Sequence, residues 1–209
     1  MSENKIYHIK RIDSWRENWH EDVPAAQVDC FPWDEASGFH YKPVASARLA
    51  AGNESLFVFM ETDETDLRMQ TKGFGHVHTD SCMEFFLSPS PDSQKYLNFE
   101  FNPAAAMYLS IGAGRHDRTA IQPENYPELF QVKTNICNKG WNLEFQIPLL
   151  FLQKYFSSVN FNNGCKMRGN FYKCGDLSSR PHYGCWSPID LPAPDFHCPA
   201  FFGRLVIEE

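Results

Sequence analysis

Apolar and polar residues alternate along most of the chain after residue 44, which is the period-2 pattern of half-buried β-strands. Turn-forming residues separate the alternating segments, for example Gly52-Asn53 and the stretch from Asn138 to Gly140. Nine short strands with this spacing predict an all-β fold, an antiparallel β-sandwich of jelly-roll type. The predicted strands are residues 44–50, 55–61, 82–87, 96–102, 106–111, 129–136, 141–147, 165–172 and 201–207.

One or two short helices are expected beside the strands. The clearest is at residues 148–155, where Pro148 suits the first helical position and Leu149, Leu152 and Phe156 share one face. The chain shows no repeat, linker or low-complexity segment. We therefore expect a single domain over residues 1–209, with residues 1–40 as an N-terminal extension packed on the sandwich.

Charge and hydropathy argue against several classes of function. The 209 residues carry a net charge of −7, and no run of Lys or Arg offers a surface for nucleic acid or an anionic membrane. No stretch approaches the roughly 18 apolar residues of a membrane span. The polar N-terminus lacks the apolar core of a secretory signal, so a cytoplasmic location is the expectation. Secretion stays open should the natural chain begin earlier.

The seven cysteines are dispersed and form no CxxC motif, which excludes a zinc knuckle and a thioredoxin-type site. We expect reduced, mostly buried thiols that pack as small hydrophobic groups. A Cys165–Cys174 or a Cys185–Cys198 bridge is the alternative.

Each predicted strand has an apolar face and an opposite face rich in forked polar groups. In 96–102, for example, Asn98 and Glu100 lie opposite Leu97 and Phe99. Amide, carboxylate and guanidinium groups can pair with adjacent hydroxyls of a sugar ring, and aromatic rings can cover its C–H face. Aromatic residues make up 15% of the chain, so both components are present. An ordinary polar face, or one covered by a second layer, would explain the same pattern.

Several of these segments, in this order, resemble the carbohydrate-binding module family 9-like domains, which belong to the wider DOMON-like sandwiches. The resemblance covers about residues 40–207. It implies a β-sandwich that binds a mono- or oligosaccharide between two Trp rings, structural calcium in some members, and an associated glycoside hydrolase. The segments are DSCMEFFLSP (80–89), YLNFEFN (96–102), WNLEFQIP (141–148), RGNFYKC (168–174), HYGCWSP (182–188) and PAFFG (199–203).

The resemblance places one clamp ring at Trp186. No Trp precedes Asp80 at the second clamp position, where Phe74 is the nearest aromatic residue and His76 or His78 is a substitute. We predict that a sugar stacks on aromatic rings and is hydrogen-bonded by polar groups on one sheet face. The predicted ligand-binding residues are Phe74, Glu84, Asn98, Glu100, Arg168, Asn170 and Trp186.

Two other functions remain open. Two of the carboxylates Glu84, Glu100 and Glu144 could act as acid and base of a glycoside hydrolase, which needs two carboxyl groups roughly 5–10 Å apart. The third possibility is a structural or interaction sandwich without a small ligand.

Metal sites are weaker expectations. Asp63, Glu64 and Asp66 follow a strand and offer the hard oxygen ligands that calcium prefers. The alternating His76, His78 and Asp80 would suit a transition metal. Haem bound through Met and His, as in some DOMON-like domains, has Met candidates but no paired His.

Overall fold

The computed structural model describes residues 5–12, 17–34, 38–90 and 92–208. Within these ranges two short α-helices occur, α1 (Tyr126–Leu129) and α2 (Leu149–Gln153), and the remaining regular structure is mostly β-strand. The strands are β1 Ile6–Arg11, β2 Ala26–Gln27, β3 Ala45–Ala51, β4 Ser55–Thr62, β5 Cys82–Ser88, β6 Tyr96–Phe101, β7 Met107–Gly114, β8 Asp117–Ala120, β9 Lys133–Cys137, β10 Gly140–Pro148, β11 Lys166–Cys174, β12 Tyr183–Cys185 and β13 Gly203–Ile207.

All nine predicted strands are present, with shifted ends. The largest shift is in 129–136, because its first residue ends α1 and strand β9 begins only at Lys133. The sequence pattern missed four strands: β1, β2, β8 and β12. Three of these have only two to four residues, too few to show a period.

The strands form two sheets that curl into a sandwich, so the predicted all-β sandwich is confirmed. The front sheet has the order β8-β7-β6-β5-β11-β13-β1, and the back sheet has the order β1-β3-β4-β10-β9. Strand β1 belongs to both, because its first part pairs with β13 and its end pairs with β3. Both of these pairings are parallel, whereas the other strand pairs are antiparallel. The N-terminal segment therefore supplies a strand that joins the sheets.

The main core lies between the two sheets and is strongly aromatic. Phe99 and Phe101 of the front sheet meet Phe145 of the back sheet at ring-centroid distances of 5.8 and 4.8 Å. Such pairs stabilise a core beyond the area they bury.

The outer face of the front sheet is also covered. Phe86, Tyr96 and Tyr172 project outward and pack against Phe196 and Phe202 from the segment that precedes β13. This second cluster explains why β5 and β6 are buried along their whole length. The polar groups of these strands therefore lie in a partly covered space rather than on an open surface.

The seven cysteines are not joined by disulfides in the structure, so it contains neither of the two bridges considered from the sequence. Cys165 and Cys174 stand at opposite ends of β11, roughly 30 Å apart along the strand. Cys185 lies opposite Cys30 instead of Cys198. No helix in the described ranges is long and apolar enough to cross a membrane.

Candidate functional site

A cleft of about 340 Å³ opens on the outer face of the front sheet. Its floor is built by side chains that alternate outward from adjacent strands: Glu84 of β5, Glu100 of β6, Tyr108 of β7 and Cys174 of β11. Its walls come from loop residues, namely His76, His78, Arg115, His116, Asp176, Pro194, Asp195, Phe196 and His197, together with Arg118 of β8 and Tyr183 of β12.

Two carboxyl groups lie side by side on this floor. Glu84 and Glu100 are directly paired across β5 and β6, and each is only 3% exposed. Burial raises the pKa of Glu84 to about 7. Burial, and secondly the neighbouring charge of Glu84, raise the pKa of Glu100 well above its usual value. Two buried acids without a lysine or arginine in ion-pair contact are unfavourable for stability and are typical of functional sites.

The two oxygens of Glu100 have different surroundings. Asn98 Nδ2 donates to Oε1 at 2.7 Å, and the Asn98 amide oxygen in turn accepts a hydrogen bond from the Ser110 hydroxyl. Oε2 is buried but has no hydrogen-bond partner, and the nearest ionisable nitrogen, His78 Nδ1, lies 3.9 Å away. Asn98 therefore orients Glu100 and leaves one oxygen available to a ligand.

Aromatic rings stand on both sides of the acidic pair. On one side Tyr108 is half-buried, and its ring lies 5.3 Å from that of His76 and 5.5 Å from that of Phe74. On the other side are Tyr183 and Phe196, whose ring centroids are 6.2 Å apart. The cleft thus combines flat aromatic surfaces with buried polar groups.

Arg118 brings a positive charge to the wall of the cleft. Its guanidinium contacts the His197 ring, and its Nε is buried without a hydrogen-bond partner. Burial, and secondly the charge of Arg118, lower the pKa of His197 to about 2, so this histidine is neutral. Tyr96 completes the arrangement with a 2.8 Å hydrogen bond between its hydroxyl and His197 Nδ1.

Only part of the predicted ligand-binding set lies at the cleft. Glu84 and Glu100 line it, Asn98 stands behind Glu100, and Phe74 stands behind Tyr108.

Trp186 does not lie at the cleft, because the structure places it in the main core and not at an exposed sugar platform. It is 4% exposed and belongs to the main core, where its ring packs against Tyr7 and Phe171 at 6.2 and 5.7 Å. A ring enclosed on this side cannot stack on a ligand. Gly203 explains the fit, because a Cβ at this position would lie 2.4 Å from the indole.

Asn170 and Arg168 are also away from the cleft. The Asn170 side chain accepts from the Ser187 amide at 2.8 Å and donates to the Ser187 carbonyl at 2.9 Å, so it anchors that loop. Arg168 lies near the other end of β11 and donates to the Ser93 carbonyl at 3.3 Å. The alternation of apolar and polar residues assigns each side chain to the correct face of the sheet. It does not show which part of that face is accessible to a ligand.

Glu144 cannot join the acidic pair as a catalytic residue. It belongs to β10 of the back sheet, where it accepts a 2.6 Å hydrogen bond from Trp19 Nε1. Of the three carboxylates predicted from the sequence, Glu84 and Glu100 therefore line the cleft and Glu144 does not.

The residues predicted to bind calcium do not converge. Glu64 is buried and forms a 2.8 Å ion pair with the equally buried Lys173, so an ammonium group takes the place of a metal. Asp63 accepts a hydrogen bond from the Val44 amide, and Asp66 accepts one from the Ser179 hydroxyl. The three predicted calcium ligands thus each have a different partner within the protein.

The alternating His76, His78 and Asp80 do not form a ligand set either. Asp80 is fully buried and accepts hydrogen bonds from the amides of Gln70 and Thr71. This carboxylate fixes the loop before β5.

Several cleft residues were missed by sequence reasoning. Tyr108 had a usable signal, because it alternates onto the same face as Ser110 in a predicted strand. Arg118, Tyr183, Phe196 and His197 come from a short strand, a very short strand and a loop, whose positions are fixed by tertiary packing.

Comparisons with known proteins agree with this architecture. The sequence model of carbohydrate-binding family 9 matches residues 18–207. A crystal structure from Bacteroides uniformis, described as that of a candidate carbohydrate-binding protein, is 30% identical, with a TM-score of 0.85 over 99% of this chain and 100% of that one. A family 9 carbohydrate-binding module from Caldicellulosiruptor kristjanssonii is 16% identical, with a TM-score of 0.68. Its complex with cellotriose covers 98% of this chain and 94% of that one, and its complex with glucose covers 98% and 96%. No curated protein sequence matches the chain.

Proposed function

Because the chain belongs to carbohydrate-binding family 9, we propose that its cleft binds a mono- or oligosaccharide, with Glu84 and Glu100 hydrogen-bonding the sugar hydroxyls. The observation that carries the proposal is the free Oε2 of Glu100, which is buried in the cleft without a partner. A buried polar atom left unpaired is costly, and a ligand hydroxyl at this position removes that cost.

Tyr108 is the proposed aromatic platform for the sugar ring. It is the direct cross-strand neighbour of Glu100, so a sugar ring resting on Tyr108 has its hydroxyls over the acidic pair. Tyr183 and Phe196 close the opposite side. This arrangement replaces the clamp of two Trp rings that the family resemblance suggested. Arg118, whose Nε is unpartnered, supplies a donor beside the acceptors.

The volume of the cleft limits what it holds. About 340 Å³ is at the lower end of ligand pockets, so the cleft suits a monosaccharide or the end of a longer chain rather than an internal segment. Glucose and cellotriose, the ligands in the Caldicellulosiruptor structures, are the first sugars to test.

Isothermal titration calorimetry with a panel of mono- and oligosaccharides tests the proposal. Glu100→Gln and Tyr108→Ala should each weaken sugar binding by at least about tenfold, which corresponds to one lost hydrogen bond or stacking contact of about 1.4 kcal/mol. Arg168→Gln is the matched control, because Arg168 is a polar residue of the same sheet outside the cleft. The absence of heat with every sugar, from folded protein, would defeat the proposal.

Hydrolysis is the second candidate, and the acidic pair supports it. Burial raises the pKa of Glu84 to about 7, which is the property required of a general acid near neutral pH. Turnover of aryl glycosides that disappears in both Glu84→Gln and Glu100→Gln would move the conclusion from binding to hydrolysis. Sugar binding without turnover would leave the first function in place.

A further inference from the structure

Two cysteines and a carboxylate meet where β5 and β11 pair, and two of the three, Glu84 and Cys174, line the floor of the cleft. Cys82 of β5 and Cys174 of β11 are directly paired across the two strands. Cys174 Sγ lies 3.1 Å from Glu84 Oε1, and Cys82 Sγ lies 3.7 Å from the same oxygen. The three ligand atoms are within 4.8 Å of one another, and all three residues are buried.

These distances match the edges of a metal coordination tetrahedron. Zinc binds thiolate sulfur at about 2.3 Å and carboxylate oxygen at about 2.0–2.2 Å, so an S···O edge of a tetrahedral site measures about 3.5 Å. Soft thiolates favour Zn²⁺ over the hard cations Ca²⁺ and Mg²⁺. The ligand chemistry therefore differs from that of the calcium site suggested by the sequence.

A separate observation points to a ligand at the same place. Glu100 is the cross-strand neighbour of Glu84, and its Oε2 is buried without a hydrogen-bond partner. Glu84, Glu100 and Cys174 all line the cleft, which gives an ion a path from solvent. A metal ion here would take Glu84 as a ligand, and a water bound to the ion would donate a hydrogen bond to the unpartnered Oε2 of Glu100.

We propose that Cys82, Glu84 and Cys174 form a zinc-binding site at the floor of the cleft, with the fourth coordination position facing Glu100 or solvent. Binding forms two Zn–S bonds and one Zn–O bond. The two S–H bonds and the O–H bond of any protonated Glu84 break, the protons pass to the buffer and water ligands leave the ion, so no oxidant or reductant is involved. The site shares Glu84 with the proposed sugar site, but metal binding is measured without any sugar, so either proposal can fail alone.

The first test is metal titration of the reduced, metal-free protein. We expect one equivalent of Zn²⁺ to bind and to raise Tm, because the metal binds the folded state preferentially. Co²⁺ in place of Zn²⁺ should produce a near-ultraviolet thiolate-to-cobalt absorption band. A protein that binds no Zn²⁺, or a cobalt complex without this band, would overturn the proposal.

Variants then identify the ligands. Cys174→Ser should lower zinc affinity at least about a hundredfold, beyond the 10- to 100-fold typical of losing a supporting residue. Glu84→Gln, which keeps both thiols, should lower it at least about tenfold. The double variant Cys30→Ser/Cys185→Ser is the matched control, because it removes the other neighbouring thiol pair and should leave affinity unchanged. Equal affinity in Cys174→Ser and the control would contradict the assignment.

One measurement needs no variant and so avoids any folding defect. In the wild-type protein, Zn²⁺ should slow alkylation of Cys82 and Cys174, quantified for each cysteine by peptide mass spectrometry. The exposed Cys137 should react at the same rate with and without the metal. The proposal would be overturned if Zn²⁺ left the alkylation rates of Cys82 and Cys174 unchanged. It would also be overturned if the reduced protein yielded a Cys82–Cys174 disulfide.

Discussion

The two faces of strand β11 carry buried polar groups with opposite consequences. On the inner face, Lys173 pairs with Glu64 at 2.8 Å and contacts His182 Nε2 at 2.8 Å. On the outer face, Cys174 lies beside Glu84, which neighbours Glu100, and among the described residues no lysine or arginine lies within 4.0 Å of either carboxylate. The charge on the inner face has a direct ion-pair partner, and the two acids at the outer face have none with a lysine or arginine of the described ranges.

This difference separates a structural role from a functional one. A buried ion pair is balanced within the protein, and removing either member is costly. Two unpaired buried acids lower stability, so they persist where a ligand supplies the missing partner. The inner face of β11 therefore serves the fold, whereas its outer face contributes to the cleft.

The largest expected effect comes from breaking the inner pair. Lys173→Met keeps the length of the side chain but leaves Glu64 as an unpaired buried charge, which should cost about 3–5 kcal/mol of unfolding free energy. Urea unfolding followed by circular dichroism measures it. Adding Glu64→Gln removes the orphaned charge and should recover most of the loss. A single variant within about 1 kcal/mol of the wild type would show that the pair is not structural.

Trp186 allows the same test of structural against functional role for a buried aromatic residue. Trp186→Phe should cost about 2 kcal/mol, less than the roughly 3–5 kcal/mol of a Trp→Ala truncation, because a smaller ring leaves a cavity beside Tyr7 and Phe171. Sugar affinity should not change, since the indole lies in the core. Lower affinity with unchanged stability would return Trp186 to the ligand site.

The sequence predicted the fold well because the period of two is a local property. Leu97, Phe99 and Phe101 alternate with Asn98 and Glu100, and that alternation alone assigns each side chain to the core or to the opposite face. Strand β1 was missed because its parallel pairing with distant strands depends on partners far away in the sequence, including β13 at the other end of the chain.

Only part of the candidate site could be predicted, because strand alternation is local whereas loop packing depends on distant parts of the chain. Glu84 and Glu100 were found because strand register makes them neighbours. Asn170 shares their face, but the loop carrying Ser187 covers it, and no local pattern reveals that cover. Trp186 was assigned by its position in a motif, and the turn after β12 directs its ring inward, against Gly203.

The two faces also contain histidines that should make the fold sensitive to acid. Burial, and secondly Lys173, lower the pKa of His182 to about 3. Its Nδ1 lies 2.8 Å from the Arg180 carbonyl and its Nε2 lies 2.8 Å from Lys173 Nζ, which fits a neutral ring that donates once and accepts once. His197 at the cleft has its pKa lowered to about 2.

Below pH 6.5 each of these two histidines therefore binds a proton in the unfolded chain that it does not bind in the fold. Each histidine should cost about 1.4 kcal/mol of stability per pH unit, from pH 6.5 down to its folded-state pKa. Unfolding free energies at pH 7.5 and 5.5 measure the slope. His182→Gln should flatten it by the contribution of one histidine. An identical slope in that variant would mean that His182 is already charged in the fold.

Glu100→Gln should have the smallest effect on stability and is the sharpest test of the comparison. Glutamine keeps the oxygen that accepts from Asn98 Nδ2 and removes one of two adjacent buried acids, so unfolding free energy at pH 7.5 should change by less than about 1 kcal/mol. Under the proposed function the same variant loses at least about tenfold in sugar affinity. If Glu100→Gln instead lowers the unfolding free energy as much as Lys173→Met does, the outer acids stabilise the fold as the inner pair does. The outer acids would then no longer support a ligand site at the cleft.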